Sequence, residues 1–381
     1  MKKEKLTELR DVIDKLDKQL IDTLAERHKV VQQVISSKIE TTKNIRDTDR
    51  EAILLGKIRK MAAESGLDPY FAESLFRDVI FQSVRYQTHS LIDHQNELSA
   101  AQTITVAYQG AEGAYSHQAA LRFFGERYSD IKTIGHHSFE QAAEAVENEH
   151  ADVAILPIEN TTAGSINNTY DLLFEKNLHL IGEEILKISH CLLTLAPINT
   201  ENIRRIVTHS LGITQCSRFL NSLSRCTIES YPDSAMAASH IKKEDDLSQA
   251  AIASPYAAEL YGLHIQQEQI SNQEENYTRF VIVSKKPVTI DPQLPSKTSL
   301  VLATVDEKGA LIRCLRILDE MGINMTKLES RPHQGKPWQY LFYVDIEGNL
   351  ADMNVQKALK EIDKKAAYLK VLGCYAKNKP E

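Results

Sequence analysis

No stretch of the 381 residues approaches the roughly 18 consecutive apolar residues that a membrane-spanning helix needs. The charged start, MKKEKLTELR, has no apolar run behind it, so no secretory leader is expected. Cysteines are few, odd in number and widely spaced (Cys191, Cys216, Cys226, Cys314, Cys374), without a CxxC pair. A disulfide scaffold or a structural zinc site is therefore not expected, and the reading is a reduced, cytoplasmic protein with no membrane partner. Basic residues are in deficit: 45 Lys and Arg against 52 Asp and Glu leave a net charge of −7. That argues against a nucleic-acid partner, which usually calls for a basic patch or domain. The 13 histidines are scattered without HxH or HExxH spacing, so no metal is expected. No proline precedes Pro69 and no glycine precedes Gly56, so the early chain lacks the usual helix breakers.

Residues 1–96 accordingly read as helix throughout. Leu6, Leu9, Ile13, Leu16, Leu20, Leu24, Val31 and Val34 recur at helical spacing and predict one long amphipathic helix to about Lys38. Asp47 is a candidate N-cap for a second helix over 48–65, and Pro69 after Asp68 starts a third. Two shorter helices cannot cover the whole stripe of the long one, which predicts a helical dimer. From Thr103 the pattern changes to short β-like runs (TITVAYQG, VAILPIEN, RIVTHS, QAAIASP) alternating with helical ones, an α/β signature over 103–285 with room for two lobes and a cleft. KKPVTIDPQLPSK carries three prolines and reads as a linker over 286–298. Beyond it, 299–376 reads β-α-β-β-α-β, the α+β ferredoxin-like unit.

Four sets of residues carry chemistry. Arg27 and Lys38 are 11 residues apart, nearly on one helix face and roughly 16 Å along it. They could hold a dianion between them, or be ordinary surface cations of a long helix. Arg10 lies roughly 25 Å from Arg27 along the same helix, so it reaches a shared ligand only from a second chain. GAEGAYSH at 110–117 follows a strand and opens a helix, whose N-terminus suits an anion. PIENTTAGS at 157–165 and NYTRF at 276–280 place hydroxyl and amide groups at strand ends. GALI at 309–312 and ESRP at 329–332 mark a strand-to-helix turn and a strand end of the last unit.

LRDVIDKLDKQLIDTLAER, Lys38, RDTDRE at 46–51 and QSVRYQ at 82–87 together resemble the helical chorismate mutase family. The resemblance implies an all-α domain with its site shared across a domain-swapped dimer. It assigns Arg10, Arg27, Lys38, Asp47, Arg50, Glu51, Ser83 and Gln87 to that site. Arg10 and Arg27 would take the two carboxylates, Lys38 and Gln87 the ether oxygen, and Glu51 the ring hydroxyl. His28 stands where the family often has a second basic residue.

The three α/β motifs, with THS at 208–210 and QCSRFL after it, resemble prephenate dehydratase, which implies two lobes like a periplasmic binding protein. The resemblance makes Thr278 the catalytic hydroxyl with Arg279 beside it. It places Ser116, His117, Glu159, Asn160, Thr161 and His209 in the cleft. Ala111 and Ala114 depart from the family's usual GPxGSYSH, and Ser210 stands where Pro often follows His. GALI and ESRP resemble the ACT domain attached to these dehydratases. This implies an L-phenylalanine site involving Gly309, Ala310, Leu311, Glu329, Ser330, Arg331 and Pro332.

The order of the three parts resembles the bifunctional chorismate mutase–prephenate dehydratases. The expectation is a multidomain, cofactor-free homodimer or higher homo-oligomer that converts chorismate to prephenate and then to phenylpyruvate, with L-phenylalanine as effector. A chain cut near residue 286 is expected to leave a working dehydratase that ignores phenylalanine. Two competitors stand beside this reading. One is a non-catalytic amino-acid-responsive binding protein; the other is a dehydratase whose helical domain only dimerises.

Overall fold

The computed structural model describes residues 2–41, 48–96, 103–125, 127–223, 226–336 and 338–378, without the side chains of 2–4, 38–41 and 48. Asp47 and the Lys38 side chain thus lie outside the described residues. The chain divides into two compact units, 1–99 and 100–380.

In the first unit, a segment free of Gly and Pro forms α1 (Lys2–Thr41) without a break. It is followed by α2 (Thr48–Glu64) and α3 (Pro69–Gln95). Asp68 caps α3 by accepting from the Tyr70 N–H at 3.0 Å, with Pro69 in the first turn, where its missing N–H costs nothing. Ile58, Ala62 and Ala72 form a small core between α2 and α3, while among the described side chains α1 buries Val31 and Ile35, near its end. Leu6, Leu9, Val12, Ile13, Leu16, Leu20, Ile21 and Leu24 stay exposed. From Leu6 to Leu24 the stripe anticipated from periodicity is therefore present and, among the described residues, uncovered, while its end at Val31 is packed.

The second unit opens with β1 (Thr103–Gln109), α4 (Tyr115–Phe124), β2 (Asp130–His136), α5 (Phe139–Glu147), β3 (Val153–Asn160), β4 (Gly164–Ser165), α6 (Asn167–Glu175) and β5 (His179–Lys187). The chain then crosses to β6 (Cys191–Thr194), β7 (Arg205–His209), α7 (Ser210–Gln215), α8 (Ser217–Ser222), β8 (Thr227–Tyr231), α9 (Ser234–Glu244), β9 (Gln249–Ala253), α10 (Pro255–Tyr261) and β10 (His264–Gln267). It returns as β11 (Tyr277–Ser284). The first sheet runs β2-β1-β3-β11-β5 and the second β10-β6-β9-β7-β8, so two α/β lobes are joined by two crossings. The crossings lie side by side, with Ile188 N–H donating to the Asn276 carbonyl and Ile270 N–H to that of His190. β3 is apolar almost throughout because both of its faces are covered, as in a central strand of a layered α/β fold.

The third sheet comprises β12 (Ser296–Thr304), β13 (Met325–Pro332), β14 (Tyr340–Glu347) and β15 (Ala366–Ala376) in the order β13-β14-β12-β15, all antiparallel. α11 (Ala310–Glu320) and α12 (Met353–Lys365) pack on one face, over Leu300, Leu302, Val344 and Ile346. The opposite face docks on the first lobe. Val301, Leu341, Tyr343, Leu372 and Tyr375 share one core with Tyr170, Leu173 and Leu180. A Cβ on Gly373 would lie 2.0 Å from the Leu180 carbonyl oxygen, so this backbone approach of β15 to β5 admits only glycine.

This docking corrects the linker reading. Ile290 and Leu294 are buried, the Asn349 amide donates to the Ile290 carbonyl at 3.0 Å, and β12 already begins at Ser296. A cut near 286 strips the cover from Tyr170, Leu173 and Leu180 rather than parting two independent bodies.

Candidate functional sites

In the helical unit, α1 and α3 meet where Arg27 Nη1 donates to Ser83 Oγ at 2.5 Å, and Ser83 Oγ donates on to the Val79 carbonyl at 2.7 Å. Gln87, one turn further along α3, is buried. His28 packs edge-on against Tyr86, 4.7 Å between ring centres. Burial lowers the Arg27 pKa. Its partner Ser83 is a neutral hydroxyl, so the partly desolvated cation favours an anionic ligand. The structure thus brings Arg27, Ser83 and Gln87 together. Arg50 is exposed and Glu51 half-exposed, both on the first turn of α2. Arg10 is exposed and sits 17 positions before Arg27 on the unbroken α1, roughly 25 Å away. It is not brought to Arg27 within one chain.

In the second unit, Thr278 opens β11 directly beside Asn160, the last residue of β3. Asn160 Nδ2 donates to Thr278 Oγ1 at 2.9 Å and to Asn276 Oδ1 at 2.8 Å. Asn160 Oδ1 is fixed as the acceptor by Thr162 N–H at 3.0 Å and Ala163 N–H at 2.8 Å. The amide orientation therefore makes Thr278 Oγ1 an acceptor from Asn160. Its own hydrogen is left to donate, with no acceptor among the described residues.

From the second lobe, Gln215 at the end of α7 reaches this pair. Its Nε2 donates to Thr162 Oγ1 at 2.6 Å, and its Oε1 lies 2.8 Å from His190 Nε2 in the crossing segment. Tyr115 OH donates to the Ser189 carbonyl at 2.7 Å and sits 3.2 Å from His190 Nδ1. Sequence reasoning assigned none of Tyr115, Thr162, His190, Gln215 or Asn276. Tyr115, Thr162, Gln215 and Asn276 stand inside the same motifs, so their polar character beside the assigned residues is the signal that points to them. His190 had no such flag.

The glycine loop closes on the second lobe. Asp233 caps α9 through the Met236 N–H at 2.7 Å and accepts from the Ala111 N–H at 3.0 Å. Tyr261 OH donates to the Glu112 carbonyl at 2.6 Å. His117 Nδ1 accepts from the Gly113 N–H at 3.1 Å, so Nε2 carries the proton and faces Thr133 Oγ1 at 3.3 Å. His117 thus ties the loop to β2 through its two ring nitrogens. Ser116 is buried in the first turn of α4, whose N-terminus has no side-chain cap. His209 caps α7, accepting from the Leu211 N–H at 3.3 Å.

Two anticipated cleft residues point elsewhere. Side chains alternate across a strand, so Glu159 and Arg279, which pair in register, lie on the face opposite Asn160 and Thr278. Arg279 contacts Glu183, Asp345 and Tyr375, and Glu159 meets Lys327 Nζ at 2.8 Å. Thr161 is exposed and ties the end of β3 to the returning crossing, accepting from the Tyr277 N–H at 2.9 Å and donating to the Glu275 carbonyl at 3.2 Å.

In the third sheet, Gly309 takes a left-handed conformation, φ 74°, just before α11, with Ala310 buried and Leu311 partly buried. On β13, Glu329 and Arg331 turn to the first lobe. Glu329 accepts from Ser165 Oγ at 2.5 Å, and Arg331 grips both Asp171 oxygens at 3.2 and 2.7 Å. Ser330 and Pro332 are exposed, and Ser330 pairs with Phe342 on the helix-bearing face. Among the described residues, no helix is long and apolar enough to cross a membrane.

Burial lowers the pKa of His117, His190 and His209, with Asp233 partly opposing it at His209. A histidine with a depressed folded-state value gives the unfolded chain the greater proton uptake. Its contribution to stability is complete above the unfolded value of about 6.5 and is lost as pH falls toward the folded one. The thermal midpoint of the second unit should therefore drop between pH 7 and pH 5, and His190→Gln should flatten that drop by about a few degrees. A variant melting curve that tracks the unsubstituted protein at both pH values would remove His190 from the account.

A family model described as prephenate dehydratase matches residues 106–288, and one described as chorismate mutase type II matches residues 9–88. The bifunctional chorismate mutase/prephenate dehydratase of Enterobacter agglomerans is 37% identical over 370 residues, covering 97% of this chain and 95% of that one. The protein of the same description from Escherichia coli K12 is 36% identical over 370 residues, covering 97% and 96%. The solved prephenate dehydratase of Arthrobacter aurescens, in complex with L-Phe, is 28% identical with a TM-score of 0.66, covering 72% of this chain and 90% of that one.

Proposed function

The chain belongs to the bifunctional chorismate mutase/prephenate dehydratases, and from that premise we propose how its residues divide the work. It rearranges chorismate to prephenate, then removes carbon dioxide and water to give phenylpyruvate.

The first step is pericyclic and needs neither nucleophile nor cofactor. What accelerates it is holding the compact conformer and stabilising charge on the breaking ether oxygen. Arg27, positioned by Ser83, takes one carboxylate as a bidentate partner, and the partner subunit's Arg10 takes the other. Lys38 and Gln87 donate to the ether oxygen, Glu51 takes the ring hydroxyl, and Asp47, Arg50 and Ser83 complete the site. The exposed apolar face of α1 supports a homodimer, because a second α1 covers it and delivers Arg10 in one move.

In the second step, electrons released by departing carbon dioxide expel the ring hydroxyl, and one proton is taken up to make water. Aromatisation drives the step. The observation that carries the assignment is the Asn160–Thr278 hydrogen bond, which makes Thr278 Oγ1 an acceptor and leaves its hydrogen free to donate to a ligand. A threonine hydroxyl is a very weak acid, so Thr278 lends a hydrogen bond to the departing oxygen rather than a free proton. The uncapped first turn of α4, around Ser116, suits a carboxylate of prephenate. Gln215 and His190 hold the two lobes in register across the cleft.

L-phenylalanine acts as effector at the third sheet. The start of α11 at Gly309 and Leu311 offers backbone donors for a carboxylate, the Ala310 N–H already donating to the Glu307 carbonyl, and the exposed Ser330 hydroxyl on β13 offers a polar group for the rest. The reading places the protein in the cytoplasm, in keeping with free Cys191, Cys216, Cys226, Cys314 and Cys374. The test is to supply pure chorismate to the full chain. Prephenate should appear first and phenylpyruvate after it, and L-phenylalanine should slow the second product. No turnover of either acid would support a binding protein instead.

A further inference from the structure

The reverse faces of β3 and β11 are held by the regulatory sheet at the very residues that neighbour the catalytic pair. Arg279 follows Thr278 in the chain and projects from the other side of β11. Its Nε donates to Glu183 on β5 at 2.9 Å, its Nη1 to Asp345 on β14 at 2.7 Å, and its Nη2 to the Tyr375 hydroxyl on β15 at 2.8 Å. The network is closed around these contacts. Ser299 Oγ donates to Asp345 Oδ1 at 2.5 Å, and Lys297 Nζ and the Asn378 N–H reach Glu183, both at 2.9 Å. One strand over, Lys327 of β13 grips Glu159, the residue before Asn160.

A largely covered guanidinium with three specific partners is costly to leave half-paired. When the regulatory sheet shifts, Arg279 must follow Asp345 and Tyr375, or those bonds must break. Thr278 shares a peptide bond with Arg279, and its hydrogen bond to Asn160 is sensitive to small displacements of the strand.

We propose that Arg279 is a positioning residue that transmits the effector's state from the third sheet to Thr278, with Asp345 and Tyr375 as the regulatory side of the contact. The inference rests on the L-phenylalanine reading of that sheet. In this arrangement, L-phenylalanine favours a sheet position in which Arg279 draws β11, and Thr278 with it, out of line. Glu183 is the partner from the catalytic lobe's own β5. It keeps Arg279 paired when the regulatory contacts are weakened, so uninhibited turnover survives their loss.

The test uses the full chain with Asp345→Asn and, separately, Tyr375→Phe, which removes a single hydroxyl. L-phenylalanine binding is followed by calorimetry, dehydration of supplied prephenate by product formation, and folding by thermal midpoint. The expected result is L-phenylalanine affinity within about threefold of the unsubstituted chain and uninhibited turnover within about threefold. The half-inhibitory concentration should rise about tenfold or more, or full inhibition should no longer be reached. By reciprocity of linkage, prephenate should also lose most of its effect on L-phenylalanine affinity. A merely structural role would move the melting temperature and leave the inhibition curve in place. Folded variants that bind L-phenylalanine and are inhibited as the unsubstituted chain is would overturn the relay alone. An unsubstituted chain that L-phenylalanine neither binds nor inhibits would overturn the relay and the effector reading together.

Discussion

Thr278→Val is expected to lower dehydratase turnover by about 10²–10³-fold while leaving the chain folded and chorismate rearrangement unchanged. The magnitude is that of removing one preorganised donor aimed at developing negative charge. Valine matches the shape of threonine and lacks only the hydroxyl. Thr278 is buried, so a shape match matters for packing. The amide of Asn160 is not orphaned by the change, because its Nδ2 still donates to Asn276 Oδ1 at 2.8 Å and to the Tyr277 carbonyl at 3.1 Å. The loss therefore reports on catalysis rather than on a buried unsatisfied donor. Thr278→Ser, which restores a hydroxyl at the same carbon, should recover much of the rate. Dehydratase turnover within about fivefold of the original in folded Thr278→Val would remove this hydroxyl from the mechanism.

The fate of the neighbouring arginine shows where sequence reading reaches its limit. The TRF motif made Thr278 and Arg279 a pair, but adjacent strand residues face opposite ways. Only the register with β3 shows that Thr278 belongs with Asn160 in the cleft and Arg279 with Glu159 behind it. Local signals were read well where the physics is local: the breaker-free start of α1, the Asp68–Pro69 entry to α3, the alternation of strands and helices after Thr103. Residues 160, 190, 215 and 276 meet only because two chain crossings run side by side, which no window of sequence contains. The docking of the third sheet was equally hidden. Three prolines over 286–298 look like a spacer, and nothing local says that Ile290 and Leu294 are buried or that Gly373 touches β5.

The mutase site should need two chains, and mixing inactive chains should make active ones. Arg10→Ala and Arg27→Ala homodimers are each expected to lose about 10²-fold or more of chorismate turnover, because each lacks one carboxylate partner in every site. The two cations sit on one unbroken helix at a separation of roughly 25 Å, far beyond the reach of two side chains to one small diacid. A site built from Arg27 of one chain and Arg10 of its partner behaves differently on mixing. In a mixed dimer, one site keeps both cations and the other loses both. Equal amounts of the two variants, allowed to exchange, give about half mixed dimers, and half of the sites in those are intact, so activity should return to about a quarter of the original. A site contained in one chain predicts no such recovery, since every site would then carry one substitution. Leu16→Lys should separate assembly from chemistry. It charges the exposed α1 stripe without touching a proposed ligand, and should weaken dimers and mutase turnover together. Mixed dimers that form yet stay as inactive as either parent would show that Arg10 of a partner chain does not complete the site.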